Sequence, residues 1–295
     1  MGPNIQTGYV RPVGYSAIVV VNGVTPEAFR RRSVTMTTAG STGAPERPSH
    51  GHPFIEISAG RYRADISAFG GGPRSLEYDG RPLLVDYPRG EYPPLNAGTV
   101  LAPWPNRVAD GVFSHDGVVH RLEITEPGRS NAIHGFVADR AWNFVEAGAD
   151  HVTLAIDVDP QPGWQWPMRF TVRWSVDADD GLRADVTAEN CGETACPFGF
   201  GFHPYLSAAD ARARFIGPDG HGVELWAYDH FRWFQIFTAD PARREGFPRV
   251  GRAVAVEPMT CPPDALRSGC DLIRIVAGET IELAMGLRSA TTSTS

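Results

Sequence analysis

Three stretches in the middle of the chain alternate apolar and polar residues with a period of two. Val152, Leu154, Ile156 and Val158 are spaced by Thr153, Ala155 and Asp157. Phe170, Val172, Trp174 and Val176 follow the same rule, as do Leu182, Ala184, Val186 and Ala188. A period of two puts one face of a strand in a core and the other in water. Asp180-Gly181 between the second and third runs is a hairpin signal, and Asp116-Gly117 predicts another hairpin over 111–122. No stretch of helical period competes. With 32 Gly and 25 Pro punctuating many short runs, the predicted class is all-β, a large antiparallel sandwich rather than an open sheet.

The chain divides unevenly. Residues 1–50 carry Arg30-Arg31-Arg32 and a Ser/Thr/Gly/Pro-rich stretch without apolar period, so they are expected to be a disordered or non-native extension outside the sandwich. The run Ile18–Val21 could be a strand with no obvious partner. Met36 is a plausible true start. The domain is expected over 51–288, and 289–295 as a polar, frayed tail.

Composition removes whole reaction classes. All 27 basic residues are arginine. Schiff-base and pyridoxal-phosphate chemistry need a lysine amine, and P-loop phosphoryl transfer needs its lysine. The net charge of −7 argues against a nucleic-acid groove, and no apolar run approaches a membrane span. Cys191, Cys196, Cys261 and Cys270 lack zinc-ribbon or redox-pair spacing. They read as free, buried thiols, compatible with a reducing cytoplasm.

Four segments are over-specified for turns. In Ala102-Pro103-Trp104-Pro105-Asn106-Arg107, two prolines stiffen a loop that presents Asn106 and Arg107, side chains suited to sugar hydroxyls. A surface turn with an ion pair is the alternative. Asn131-Ala132-Ile133-His134-Gly135 presents His134, which on its own reads more readily as a hydrogen-bonded structural histidine than as a functional one. Phe198-Gly199-Phe200-Gly201-Phe202-His203-Pro204-Tyr205 puts bulk on one strand face and close backbone approach on the other. His203 is its first polar side chain, either a strand cap or a general acid. Glu257 ends the apolar run 252–256 and is expected to point into a proline-rich turn, as a salt-bridged residue or a base of raised pKa.

In this order, and with Phe234-Gln235-Ile236-Phe237-Thr238 between the last two, the segments resemble the aldose 1-epimerase (mutarotase) family from about Phe54 to about Leu287. Members of actinobacterial type look most similar. The resemblance implies the galactose mutarotase-like supersandwich and anomer exchange on a hexose of glucose or galactose type. Glu257 would be the base and His203 the acid, with Asn106, Arg107, His134 and Gln235 holding sugar oxygens. It implies no metal, nucleotide or other cofactor, and a small sugar as the partner. It does not fix an oligomeric state.

The chain departs from the family after His203-Pro204-Tyr205, where members carry further strands and a sugar-binding aspartate. Here the link to Gly217-Pro218-Asp219-Gly220 is short. Asp210 and Asp229 are possible substitutes, although each reads better as a surface residue. Such a shortening is expected to open one wall of the cleft. A non-catalytic sugar-binding homologue therefore stands beside the epimerase reading. A hexose-6-phosphate epimerase is the third possibility, but it would want more arginines than Arg107.

Overall fold

The computed structural model describes Tyr9 and Val10, residues 52–207 and residues 220–291. The three alternating runs are strands, His151–Val158, Met168–Asp177 and Gly181–Asn190, paired antiparallel in sequence order. Asn143–Ala147 extends this sheet on one side, and Thr280–Thr291 then His221–Ala227 extend it on the other, giving six strands. Its inner face buries Leu154, Phe170, Val172, Trp174, Val186 and their neighbours. Each such side chain removed from water contributes about 1.5–3 kcal/mol. The outer face carries ion pairs such as Arg169–Asp157 and Arg173–Glu146.

A second sheet holds the strands that matter for chemistry. Ala253–Met259 lies between Trp233–Ala239 on one side and Gly201–Phe202 and Tyr205–Leu206 on the other. Val100–Leu101 continues the sheet beyond Gly201–Phe202. The two sheets share one core: the Trp174 and Phe202 rings lie 5.3 Å apart and the Phe170 and Phe198 rings 6.1 Å apart. A four-stranded sheet, Phe54–Ala59 through Arg81–Pro82, joins the same core. Both predicted hairpins form. Val112–His115 pairs with Val118–Arg121, and Asp116 and Gly117 take the left-handed backbone that such a turn requires. Among the described residues the one α-helix is Ala265–Ser268, and none is long and apolar enough to cross a membrane.

Four expectations need adjustment. Tyr9–Val10 pairs with Phe234 and Gln235 at the edge of the second sheet, so at these two residues the N-terminal extension touches the sandwich. The rest of 1–50, the run Ile18–Val21 included, lies outside the described residues. The last strand continues to Thr291, where residues 289–291 pair with 221–223, so the polar tail begins later than its composition suggests. Glu257 does not end its strand, which runs on through Met259. All four cysteines are free, but Cys191 and Cys270 are exposed and only Cys196 and Cys261 are buried.

Candidate active site

The sheet registers bring the sequence-selected residues together. Gln235 stands opposite Glu257 on neighbouring strands. Tyr205 stands opposite Ala255, two residues before Glu257, so the turn carrying His203 lies over the same stretch. The backbone of His203 is pinned on both sides, its N–H donating to Thr99 O and its carbonyl accepting from Gly98 N. The result places His203 Nε2 3.4 Å from Glu257 Oε1.

Asn106 and His134 are clasped by a second, smaller pairing. Arg107–Ala109 runs antiparallel to Asn131–Ile133 with Ile133 opposite Arg107, which leaves Asn106 and His134 facing each other one step beyond. Asn106 N–H donates to His134 Nδ1 at 3.2 Å, and His134 N–H donates to the Asn106 carbonyl at 2.9 Å. Both residues have positive φ, at 58° and 64°. Gly135 is required where the loops close. A Cβ there would stand 1.9 Å from the Ala102 carbonyl oxygen, at a φ of +72°. The Asn106 side chain then donates from Nδ2 to Gln235 Oε1 and accepts from Arg107 N–H. The His134 and His203 rings meet edge to face at 5.4 Å. The six residues selected from the sequence form one connected cluster.

The cluster is not an open cleft. His203 and Glu257 are 4% and 2% exposed, and Asn106, His134 and Gln235 are buried as well. The link whose shortness suggests a widened wall, residues 208–219, lies outside the described residues. Asp210 lies outside the described residues, and Asp229 is exposed after the strand His221–Ala227.

Burial sets the electrostatics. It pushes the Glu257 carboxyl up to about 8, against the pull of the Arg107 cation. It pushes His203 down to about 4, with a backbone hydrogen bond opposing. His134 is held well below its ordinary value by burial, then by His203 and Arg107. At neutral pH the dry pair thus carries one proton, resting on Glu257, with no net charge. His203 Nδ1 and Glu257 Oε2 are buried without a partner. An unmet buried polar atom costs roughly 1–3 kcal/mol, so the site is primed for a ligand that donates and accepts.

His134, His203 and Glu257 also have donor atoms within 4.8 Å of one another, a spacing that invites a metal. The tautomer argues otherwise. Nδ1 of His134 accepts the Asn106 N–H, so the proton of the neutral ring sits on Nε2 and neither nitrogen offers a free lone pair. The ring is built as a hydrogen-bond donor.

Sequence reasoning missed Glu126. It accepts both Nε and Nη2 of Arg107, at 2.7 and 2.8 Å, and lies 19% exposed beside the site. Its only local signal is a carboxylate preceding the turn Pro127–Arg129.

Comparison with known proteins bears on the family and the fold. The sequence model described as aldose 1-epimerase matches residues 53–232. An uncharacterized protein of Escherichia coli K12, YihR, is 28% identical, the match covering 76% of this chain and 89% of that one. A galactose mutarotase-like protein from Clostridium acetobutylicum superposes with a TM-score of 0.68 at 16% identity, over 82% of this chain and 96% of the other. The GalM/aldose epimerase homologue from C. elegans gives 0.69 at 12% identity, over 82% and 100%. The last two speak to the fold, a β-sandwich of galactose mutarotase type.

Proposed function

The chain belongs to the aldose 1-epimerase family, and on that premise we propose that it interconverts the α and β anomers of a neutral hexose of glucose or galactose type. The observation that carries the proposal is the buried pair, His203 Nε2 and Glu257 Oε1 at 3.4 Å, each residue keeping one unpartnered atom for a ligand.

The reaction starts from the charged form of the pair, Glu257 as carboxylate and His203 as imidazolium. Sugar hydroxyls and Arg107 favour this form when the ring binds. Glu257 takes the proton of the anomeric hydroxyl as the C1 to ring-oxygen bond breaks, and His203 gives its proton to the ring oxygen. The products are an open-chain aldehyde and a pair that is again uncharged, with the proton on Glu257. That is the form burial favours, so the pocket stabilises the ring-opened complex. Rotation about C1–C2 turns the other carbonyl face to the ring-oxygen hydroxyl. Closure returns one proton to His203 and the other from Glu257 to O1, which restores the starting pair. Asn106, Gln235 and the Nε2–H of His134 hold sugar oxygens, and Arg107 presents its remaining nitrogen. The proton transfers need only these side chains.

The engagement of Arg107 by Glu126 supports a neutral sugar over a phosphorylated one, because the cation already has a carboxylate. The test is anomer interconversion of glucose and galactose followed by NMR exchange. Exchange above the buffer rate is expected. Binding without exchange would establish a non-catalytic sugar-binding homologue instead, and turnover confined to a hexose phosphate would establish the third reading.

A further inference from the structure

Glu126 is saturated. One oxygen accepts Arg107 Nε and Asn131 Nδ2, at 2.7 and 2.8 Å, and the other accepts Arg107 Nη2 and Arg129 Nη1, at 2.8 and 2.9 Å. Arg129 reaches on to Glu245, so two cations and two carboxylates alternate along one side of the site. A carboxylate held by four donors stays ionised far into acid, and Arg107 first, then Asn131 and Arg129, hold Glu126 down at about 2. The charge of Glu126 is thus constant wherever the catalytic pair titrates.

Arg107 is the cation that acts on Glu257. Glu257 is faced by His203, His134 and Arg107, with Tyr205 nearby, and the charges of Glu257 and Glu245 both act on Tyr205. Glu126 opposes the effect of Arg107 on His134. We propose that Glu126 is a positioning residue for the proton-transfer pair: its grip on two nitrogens of Arg107 fixes where that cation stands, and its charge limits how strongly the cation favours an ionised Glu257. The proposal rests on the reading of Glu257 as the base. A purely structural alternative is that Glu126 only staples the 124–131 loop to Arg107–Ala109.

The experiment is a carboxyl-carbon NMR titration of Glu257 in the full chain, alongside the pH profile of kcat/KM. Glu126→Gln leaves Arg107 unopposed, so the Glu257 midpoint should fall by about half a pH unit or more, and the alkaline limb of the profile, where the pair loses its one proton, should move with it. Glu126→Asp, which keeps the charge, should recover most of the shift. Arg129→Gln should act in the opposite direction, because it leaves Glu126 less neutralised. A staple would not change sign between variants. A midpoint unmoved in folded Glu126→Gln, or shifts of one sign in Glu126→Gln and Arg129→Gln, overturns the proposal. If the wild-type chain exchanges no anomers, the epimerase reading falls alone, because the carboxyl titration needs no turnover.

Discussion

Replacing Glu257 by Gln is expected to cost activity while adding stability in alkali. In an unfolded chain this carboxyl titrates near 4.5, and in the fold burial raises it to about 8. Between those values the folded protein keeps a proton that the unfolded chain has released. A raised folded pKa therefore means a contribution fully present below pH 4.5 and lost as pH rises through about 8. Each pH unit in this window costs about 1.4 kcal/mol, which sets an upper figure of roughly 4–5 kcal/mol across it. Gln keeps the uncharged shape at every pH and does not pass through this loss. The variant should match wild type at about pH 5 and exceed it progressively by about pH 8.5, as read from urea denaturation. His203 contributes the opposite slope: lowered to about 4, it is fully favourable above its unfolded value of 6.5 and loses that as pH falls through 4. Both proteins carry His203, so this slope is common to them. Anomer exchange should fall on the order of 10²-fold or more in Glu257→Gln. Parallel stability curves across the pH range would show that Glu257 is not protonated in the fold, and an undiminished rate would place the base elsewhere.

His203→Gln should likewise slow exchange by about 10²-fold or more, and a wild-type rate by polarimetry would remove His203 from the chemistry. Asn106→Ala loses the amide contacts to Gln235 and Arg107 in a left-handed conformation that Ala disfavours, so KM should rise and stability fall by about 1–2 kcal/mol. Asn106→Gly keeps that conformation and should recover part of the stability while retaining the higher KM; full recovery of KM would mean that the amide does not hold the sugar. Gly135→Ala drives a Cβ onto the Ala102 carbonyl and should cost more than about 3 kcal/mol; an unchanged melting temperature would contradict the loop closure described for Asn106 and His134.

The legible parts of this chain are those governed by local rules. The alternation through Leu154, Val172 and Val186 needs only the period of a strand, and Asp116-Gly117 needs only the backbone preference of a turn. His203 and Glu257 stand out through motifs in which bulky, glycine and proline residues surround a single ionisable group. Glu126 is illegible because its meaning lies in Arg107, Arg129 and Asn131 converging on it, and before folding it is one carboxylate at a polar turn. Burial of the site is equally hidden. Glu257 is 2% exposed, with Gln235 opposite it and Tyr205 opposite Ala255, neighbours that separate parts of the sequence encode.

The pairing of Gln235 with Glu257 on one rung has a consequence for how this protein tolerates changes of length. Side chains alternate between the faces of a strand, so one residue gained or lost within Trp233–Ala239 or Ala253–Met259 would turn Gln235 or Glu257 away from His203 without breaking the sheet. Two residues would restore the face but slide one partner past the other along the strand. Insertions in the exposed hairpin tip at Asp116-Gly117 carry no such penalty. Length changes in the two central strands should thus give folded, silent proteins, whereas those at that tip should leave the site as it was.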